Sequence, residues 1–255
     1  MEFVDTHCHL QFEKYTDPDE VVSRAESVGV TRMVSVGTTL EDSSNAIKIA
    51  DKFDSVWASV GIHPHEAGKI DDQPDIRQKI LDLLSNPKVV AVGEIGLDYF
   101  KNYSPKEDQI KTLHLQLDAT IDGGLPYIFH VRQAWKDFWR VFDEYKNLTG
   151  VIHSFSTTNE HLEEALSRGL FIGLNGIMTF TKDQAQLEAA RQVPLDKLLL
   201  ETDAPFLAPE PFRNQVCEPQ HVVTTAEFLA GLRDESIEEL AKTTTANAQK
   251  LFNLS

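Results

Sequence analysis

Cysteine is scarce in this chain of 255 residues, which contains only Cys8 and Cys217. Two thiols are too few for a disulfide framework, so we expect a protein of the reducing cytoplasm. Long apolar runs are missing as well, and none approaches the ~18 residues that indicate a membrane span. The first residues are acidic and already strand-like, and they predict neither a signal peptide nor a transit peptide. Without a membrane span, no membrane partner is expected.

Basic residues are also few relative to acidic residues. Lysine and arginine number 24 against 40 aspartates and glutamates, which gives a formal net charge of −16. Proteins that hold duplex nucleic acid by its backbone usually carry a basic stripe, because neutralised phosphates release counterions. General coating of duplex DNA is therefore not expected. Bound cations can still reverse the sign of the field at one site, so a polyanionic substrate stays open there.

Short apolar, β-branched runs alternate with helix-favouring segments along the whole chain. We predict strands at 3–8, 31–37, 56–61, 88–94, 126–131, 149–153, 169–174 and 197–202, and helices at 18–29, 40–53, 74–85, 105–123, 133–146, 158–168, 181–192, 219–231 and 236–252. This alternation indicates an α/β protein with a parallel sheet covered by helices. Eight units in this length favour one (β/α)8 TIM-type barrel domain over residues 1–255, and no Gly-x-Gly-x-x-Gly follows the first strand to indicate dinucleotide binding.

Potential metal ligands stand at or just past the ends of five predicted strands. In such a barrel the active site lies at the C-terminal ends of the strands. His7 and His9 share one face of the first strand because side chains alternate, and Cys8 takes the other face. The full set of candidate ligands is His7, His9, Glu94, His130, His153 and Asp203. Imidazoles and carboxylates brought together in this way predict a site for divalent cations.

Two cations per chain fit this ligand set. Glu94 is the predicted bridge, because the two oxygens of a carboxylate can each bind one cation. The remaining residues then divide into two sets, His7 with His9 and Asp203, and His130 with His153. Four imidazoles favour Zn, Mn, Co or Fe over Mg, which prefers oxygen ligands, and the choice among these five stays open. Paired cations ~3.5–4 Å apart activate a hydroxide for in-line displacement, so we expect hydrolysis.

Four further residues have predicted roles beside the ligands. His63, at the end of the third strand, and Arg132 are expected to contact substrate, Arg132 as a donor to phosphate. The alternatives are a structural role for His63 and a surface salt bridge for Arg132. Asp98 is expected to hold Glu94 in place from behind. Glu201 shares the strand face of Asp203 and competes with it as a ligand.

Several long segments resemble the TatD family of metal-dependent hydrolases, a branch of the amidohydrolase superfamily with deoxyribonuclease members. The matching segments run from Asp5 to Leu10, from Gly61 to His65, from Gly93 to Tyr99, from Gly150 to Ser156 and from Leu200 to Pro205. The resemblance covers essentially the whole chain and implies the barrel, two cations on the six ligands and phosphodiester cleavage in nucleic acid. It also selects Asp203 over Glu201 as the ligand, and it implies catalytic roles for Asp203 and Glu94.

Two loops depart from the family pattern. Gln133 replaces an acidic residue after His130, and the segment from Arg213 to Pro219 lacks a glycine and places Cys217 before Glu-Pro. The leading prediction is a nuclease that trims single-stranded or frayed nucleic-acid ends. Amide or ester hydrolysis on a small molecule or an aminoacyl-nucleic acid is the alternative. A non-catalytic scaffold of the same fold is a further alternative, and the intact ligand set argues against it.

Overall fold

The computed structural model describes residues 1–70 and 75–254, so residue 74 of the predicted helix 74–85 lies outside it. The strands are β1 (Phe3–Cys8), β2 (Val30–Val36), β3 (Val56–Val60), β4 (Val89–Asp98), β5 (Tyr127–Arg132), β6 (Gly150–Ile152), β7 (Phe171–Leu174) and β8 (Leu198–Leu200). The helices are α1 (Pro18–Ser27), α2 (Leu40–Ala50), α3 (Ile76–Leu84), α4 (Lys106–Thr120), α5 (Trp135–Phe142), α6 (Asn159–Ser167), α7 (Ile177–Phe180), α8 (Gln184–Gln192), α9 (Val222–Arg233) and α10 (Ile237–Phe252).

Strand order follows chain order from β1 to β8. With a helix between most successive strands, this is the topology of a (β/α)8 barrel, and the predicted fold class is confirmed. Each predicted strand and helix overlaps an observed one, and α7 is an additional short helix. Within the described ranges, no helix combines the length and the apolar composition needed to cross a bilayer.

The chain packs into two compact units. The first unit comprises Met1–Ser35 and His153–Ser255, and the second comprises Val36–Ile152. In the first unit β1 pairs in parallel with β2 and β7 with β8, and Cys8 forms a parallel bridge to Ala204 beyond β8. In the second unit β3 pairs with β4, β4 with β5 and β5 with β6, all in parallel.

Local chemistry accounts for the helix starts and for the core. Asp17 caps α1 by accepting the backbone N–H groups of Asp19 and Glu20, and Pro18 occupies the first helical position, where no N–H is needed. In the second unit α5 packs an aromatic face on the sheet. Phe138 lies 5.2 Å from Phe129 between ring centroids, edge to face.

β4 (Val89–Asp98) extends four residues beyond the end of its predicted run of 88–94. The added residues pair with β5, and Gly96 lies beside His130 in this register. The φ of Gly96 is +146°, and a Cβ at this position would collide with the backbone of His130. Glycine in a strand often marks such a close approach. The predicted strand is shorter because Gly93 and Gly96 interrupt the apolar run in the sequence.

Gly96→Ala should destabilise the fold, because the added methyl group would collide with backbone atoms of His130. Backbone atoms, unlike a flexible side chain, cannot move away by changing rotamer. We expect the free energy of unfolding to fall by about 1–3 kcal/mol, the usual range for overpacking. Urea denaturation followed by circular dichroism measures this change. Gly123→Ala is the matched control, since nothing lies within 4 Å of a Cβ there. Equal unfolding midpoints for the two variants would contradict the close approach.

Candidate metal centre

In the first unit, main-chain hydrogen bonds hold the end of β1 against the segment that follows β8. The N–H of Asp203 donates to the carbonyl of His7 at 2.8 Å, and the N–H of His9 donates to the carbonyl of Ala204 at 2.7 Å. Asp203 has a left-handed φ of +59°. Its Oδ1 lies 3.6 Å from Nε2 of His7 and 3.5 Å from Nε2 of His9. The three residues that the sequence assigns to one cation therefore lie together.

His153 belongs to the same cluster. Its ring stacks on that of His7 with 3.8 Å between centroids, and one ligand atom each from His7, His153 and Asp203 lies within 4.8 Å of the others. The sequence pairs His153 with His130, whereas the structure places it against His7.

Glu201 lies behind His153. Its Oε1 is 3.3 Å from Nδ1 of His153 and accepts hydrogen bonds from the N–H of Ser154 at 2.6 Å and the side-chain amide of Asn175 at 3.3 Å. Asn175 is a polar contact that the sequence did not single out for the site. With these donors Glu201 is placed to orient His153, the supporting role that the resemblance implies.

The charge of Asp203 suits a cation ligand. Burial alone would raise the pKa of this carboxyl, but His9, His153 and His7 outweigh it and lower the pKa below its ordinary value. Asp203 is therefore ionised at neutral pH. The imidazoles around it supply nitrogen lone pairs of the kind that transition metals bind.

In the second unit, His130 lies between two carboxylates. Its Nδ1 is 2.7 Å from Oε1 of Glu94, and its Nε2 is 3.0 Å from Oδ2 of Asp98. A neutral imidazole has only one N–H, so it can donate to only one of them. A cation shared by Nδ1 and Glu94 leaves the proton on Nε2, where Asp98 accepts it, as carboxylates commonly do for ligand histidines.

Asp98 therefore supports His130, whereas the sequence places it behind Glu94 in a loop. Asp98 is the last residue of β4 and also accepts the backbone N–H groups of Phe100 and Lys101, each at 2.9 Å. Burial alone would raise its pKa, but hydrogen bonds with His130 and His65 hold the pKa far below its usual range. The carboxylate is charged whenever the protein is folded near neutral pH.

His63 makes the structural contacts that the sequence leaves open as its alternative role. Its Nδ1 accepts the N–H of His65 at 3.1 Å and so caps the short 3-10 turn Pro64–Lys69. The ring proton then sits on Nε2, which lies 3.4 Å from Oε1 of Glu94. Burial lowers the pKa of His63 to about 4, even though Glu94 opposes the shift. The ring of His63 is thus neutral, and its Nε2–H lies beside Glu94. A neutral N–H of this kind suits a hydrogen bond to substrate better than it suits the binding of a cation.

His65 is a residue whose place the sequence analysis missed. Its Nε2 lies 3.0 Å from Oδ2 of Asp98, and its ring is 4.3 Å from that of His63. The available signal was the spacing of His63 and His65, which repeats that of His7 and His9. That spacing alone does not place His65, because β3 ends at Val60 and His65 lies in the 3-10 turn Pro64–Lys69.

Arg132 ends β5 and is exposed to solvent. Its guanidinium carbon lies 4.0 Å from the ring centroid of Phe100. Among residues 1–70 and 75–254 no carboxylate pairs with Arg132, so the alternative of a surface salt bridge is not observed.

Both clusters fit divalent cations by the chemistry of their donors, and the first cluster fits by spacing as well. A tetrahedral cation bound at ~2.1 Å places neighbouring donor atoms ~3.4 Å apart. The separations of 3.5 and 3.6 Å between Asp203 and its two histidines are close to that value. In the second unit Glu94 and His130 offer an oxygen and a nitrogen that already face each other. Each unit thus presents imidazole and carboxylate donors to a common point.

Comparison with known proteins gives a consistent result. The family profile described as TatD related DNase matches residues 4–253. The uncharacterized metal-dependent hydrolase YabD of Bacillus subtilis is 36% identical over 253 residues, which is 98% of each chain. The 3'-5' ssDNA/RNA exonuclease TatD of Shigella flexneri is 34% identical over 251 residues, or 96% of this chain and 95% of the relative.

A solved structure extends the comparison to the fold. The hydrolase TatD family protein from Entamoeba histolytica superimposes with a TM-score of 0.92 at 25% identity, covering 100% of this chain and 99% of the other. The profile, the relatives and the superposition each cover nearly the full chain. With its histidine and carboxylate clusters at the strand ends, the chain belongs to the TatD related DNase family of metal-dependent hydrolases.

Proposed function

We propose that this hydrolase cleaves phosphodiester bonds at single-stranded or frayed nucleic-acid ends with the help of two divalent cations. The observation that carries the proposal is the pair of imidazole–carboxylate clusters at the strand ends, one in each unit. Relatives 34–35% identical over 96% of this chain bear the name 3'-5' ssDNA/RNA exonuclease, which supports nucleic acid as the substrate. The net charge of −16 disfavours coating of duplexes.

The proposed ligands divide between the two clusters. His7, His9, His153 and Asp203 hold one cation, Glu94 and His130 hold the other, and Glu94 is the proposed bridge. The cation is Zn, Mn, Co, Fe or Mg, and the four imidazoles favour the transition metals. When bound, such cations polarise a phosphodiester and lower the pKa of water towards ~7.

The other side chains complete the reaction. Asp203 is an anion at neutral pH and accepts the proton of the attacking water. His63 presents its Nε2–H and donates to an oxygen of the substrate. Arg132 binds a phosphate. The two cysteines are buried free thiols, which is compatible with the cytoplasmic location that we propose.

The first test is the number of cations. Metal-depleted protein reloaded with Mn²⁺ or Zn²⁺ should bind close to two ions per chain by elemental analysis, because two clusters are present. Glu94→Gln should lower that number, since an amide presents only one good ligand oxygen. His114→Ala is the control, as His114 bonds to Tyr145 away from the clusters. Saturation of the parent protein at one ion would remove the bridging role of Glu94.

The second test concerns the proton acceptor. Asp203→Asn keeps the size and one oxygen of the side chain but loses its charge, so cleavage of 3'-tailed oligonucleotides should fall by ~10²-fold or more. His161→Ala, which removes a helix-surface partner of Glu164, should cut at the parental rate. An Asn variant as fast as the parent would refute the assignment. A parent that cuts no oligonucleotide with any of the five metals would favour the amide or ester hydrolase.

The third test concerns the phosphate contact. Arg132→Ala should raise KM for oligonucleotides by the equivalent of ~1.5–3 kcal/mol, the range for a charge-assisted hydrogen bond. The metal content should not change. Arg140→Ala removes the same charge from a neighbouring exposed site, where Arg140 pairs with Asp137, and should leave KM unaltered. Equal KM values for the two variants would mean that Arg132 does not contact substrate.

A further inference from the structure

Exposed aromatic rings are confined to two segments in the part of the chain that the structure describes. The chain has 14 phenylalanines, 5 tyrosines and 3 tryptophans. Of those described, only Phe100, Tyr103 and Phe206 are exposed, at 50%, 68% and 41%. Phe100 and Tyr103 follow β4 in the second unit, and Phe206 follows β8 in the first. Phe100 and Tyr103 follow the strand that carries Glu94, and Phe206 follows Asp203 by three residues. The exposed rings therefore lie in the segments that follow cluster residues.

Phe100 is fixed next to the residues that hold His130. Its backbone N–H donates to Asp98, whose other oxygen faces Nε2 of His130. The guanidinium of Arg132 lies over the ring at 4.0 Å from the centroid, and Nζ of Lys101 lies at 5.6 Å. A stacked guanidinium covers one face of an aromatic ring and directs its N–H groups outward. Phe100 as a whole remains 50% exposed to solvent.

Tyr103 is linked to the second cluster through histidine rings. Its ring meets the ring of His65 edge to face at 4.8 Å, and His65 in turn lies 4.3 Å from His63. The turn that carries Tyr103 is held in place, since the hydroxyl of Ser104 donates to the carbonyl of His65 at 2.8 Å. The exposed ring is therefore held at a defined position, two ring contacts from His63.

We propose that Phe100 and Tyr103 form an aromatic platform on which unpaired bases of a single-stranded substrate stack, with Arg132 binding an adjoining phosphate. This inference rests on the proposed nuclease function. Every nucleobase has a π face, so stacking tolerates any sequence. Bases inside a duplex are already stacked on their neighbours, and the platform therefore selects unpaired ends. Stacking also supplies affinity that a chain with a net charge of −16 does not gain from long-range electrostatics.

The experiment compares two oligomers with equal charge. Fluorescein-labelled oligothymidylate with hydrolysis-resistant phosphorothioate linkages is one probe, and an abasic oligomer with the same number of phosphorothioate linkages is the other. Fluorescence anisotropy with Mn²⁺ gives Kd for both. The parent protein should prefer the base-bearing strand by about 10-fold or more, the scale of stacking one or two bases. The double variant Phe100→Ala with Tyr103→Ala should lose this preference and keep its affinity for the abasic strand.

Three further variants separate stacking from folding and from apolar contact. Leu81→Ala, at another exposed apolar residue of the same unit, should leave both Kd values unchanged. Replacing both platform rings by leucine keeps apolar area without a π face and should behave like the alanine variant, whereas tryptophan at both positions should restore the preference. The thermal unfolding of all variants is followed by circular dichroism.

The outcomes distinguish the two proposals. A parent protein that binds neither oligomer contradicts the proposed function itself. Equal binding of both oligomers by the parent leaves the nuclease proposal standing and overturns the platform. A preference for the base-bearing strand that survives in the alanine variant also overturns the platform. Survival of this preference in the leucine variant overturns it as well, because apolar area without a π face would then be sufficient.

Discussion

Buried carboxylates that face imidazoles are the constraint on which the candidate metal centre depends. An ionised carboxylate removed from water is costly unless N–H groups or cations face it. In each unit one carboxylate faces the cluster and a second orients a histidine ring from behind. Asp203 and Glu201 divide these tasks in the first unit, and Glu94 and Asp98 divide them in the second. When the supporting carboxylate holds one ring nitrogen of a histidine, the other ring nitrogen faces the cluster.

The main chain makes these pairings possible. In the first unit Asp5 fastens β1 to the segment after β8 by accepting the hydroxyl of Thr202 at 2.6 Å and its N–H at 2.9 Å. Burial raises the pKa of Asp5 to about 8, although Thr202 and His7 oppose the shift through their hydrogen bonds. In the second unit Gly96 lets β4 approach β5 closely enough for Asp98 to reach His130. Neither Asp5 nor Gly96 belongs to the ligand set, yet each fixes the position of residues that do.

The sequence predicts the strands and helices well, because their signal is local. Apolar runs locate the strands because burial requires them, and polar residues at strand ends mark one edge of the sheet. Relations across strands are harder. The sequence places Asp98 behind Glu94 and pairs His153 with His130, whereas in the structure the side chain of Asp98 contacts His130 and the ring of His153 stacks on that of His7. The contact between His65 and Asp98 is likewise not predicted, because no local pattern shows that the two residues lie next to each other.

The solvent exposure of individual aromatic side chains is a further property that the sequence does not predict. The sequence does not distinguish Phe100 and Tyr103 from the other aromatic residues, most of which are buried or half-buried, and only the folded segment after β4 shows both in solvent. Their exposure bears on a problem that the composition poses, since an acidic protein repels a polyanion at long range. Cations at the clusters, the guanidinium of Arg132 and stacking on exposed rings all act only at short range. A strand with unpaired bases can use all three contacts, whereas a duplex offers mainly its phosphates, and the charge balance thus favours unpaired ends as the proposed substrate.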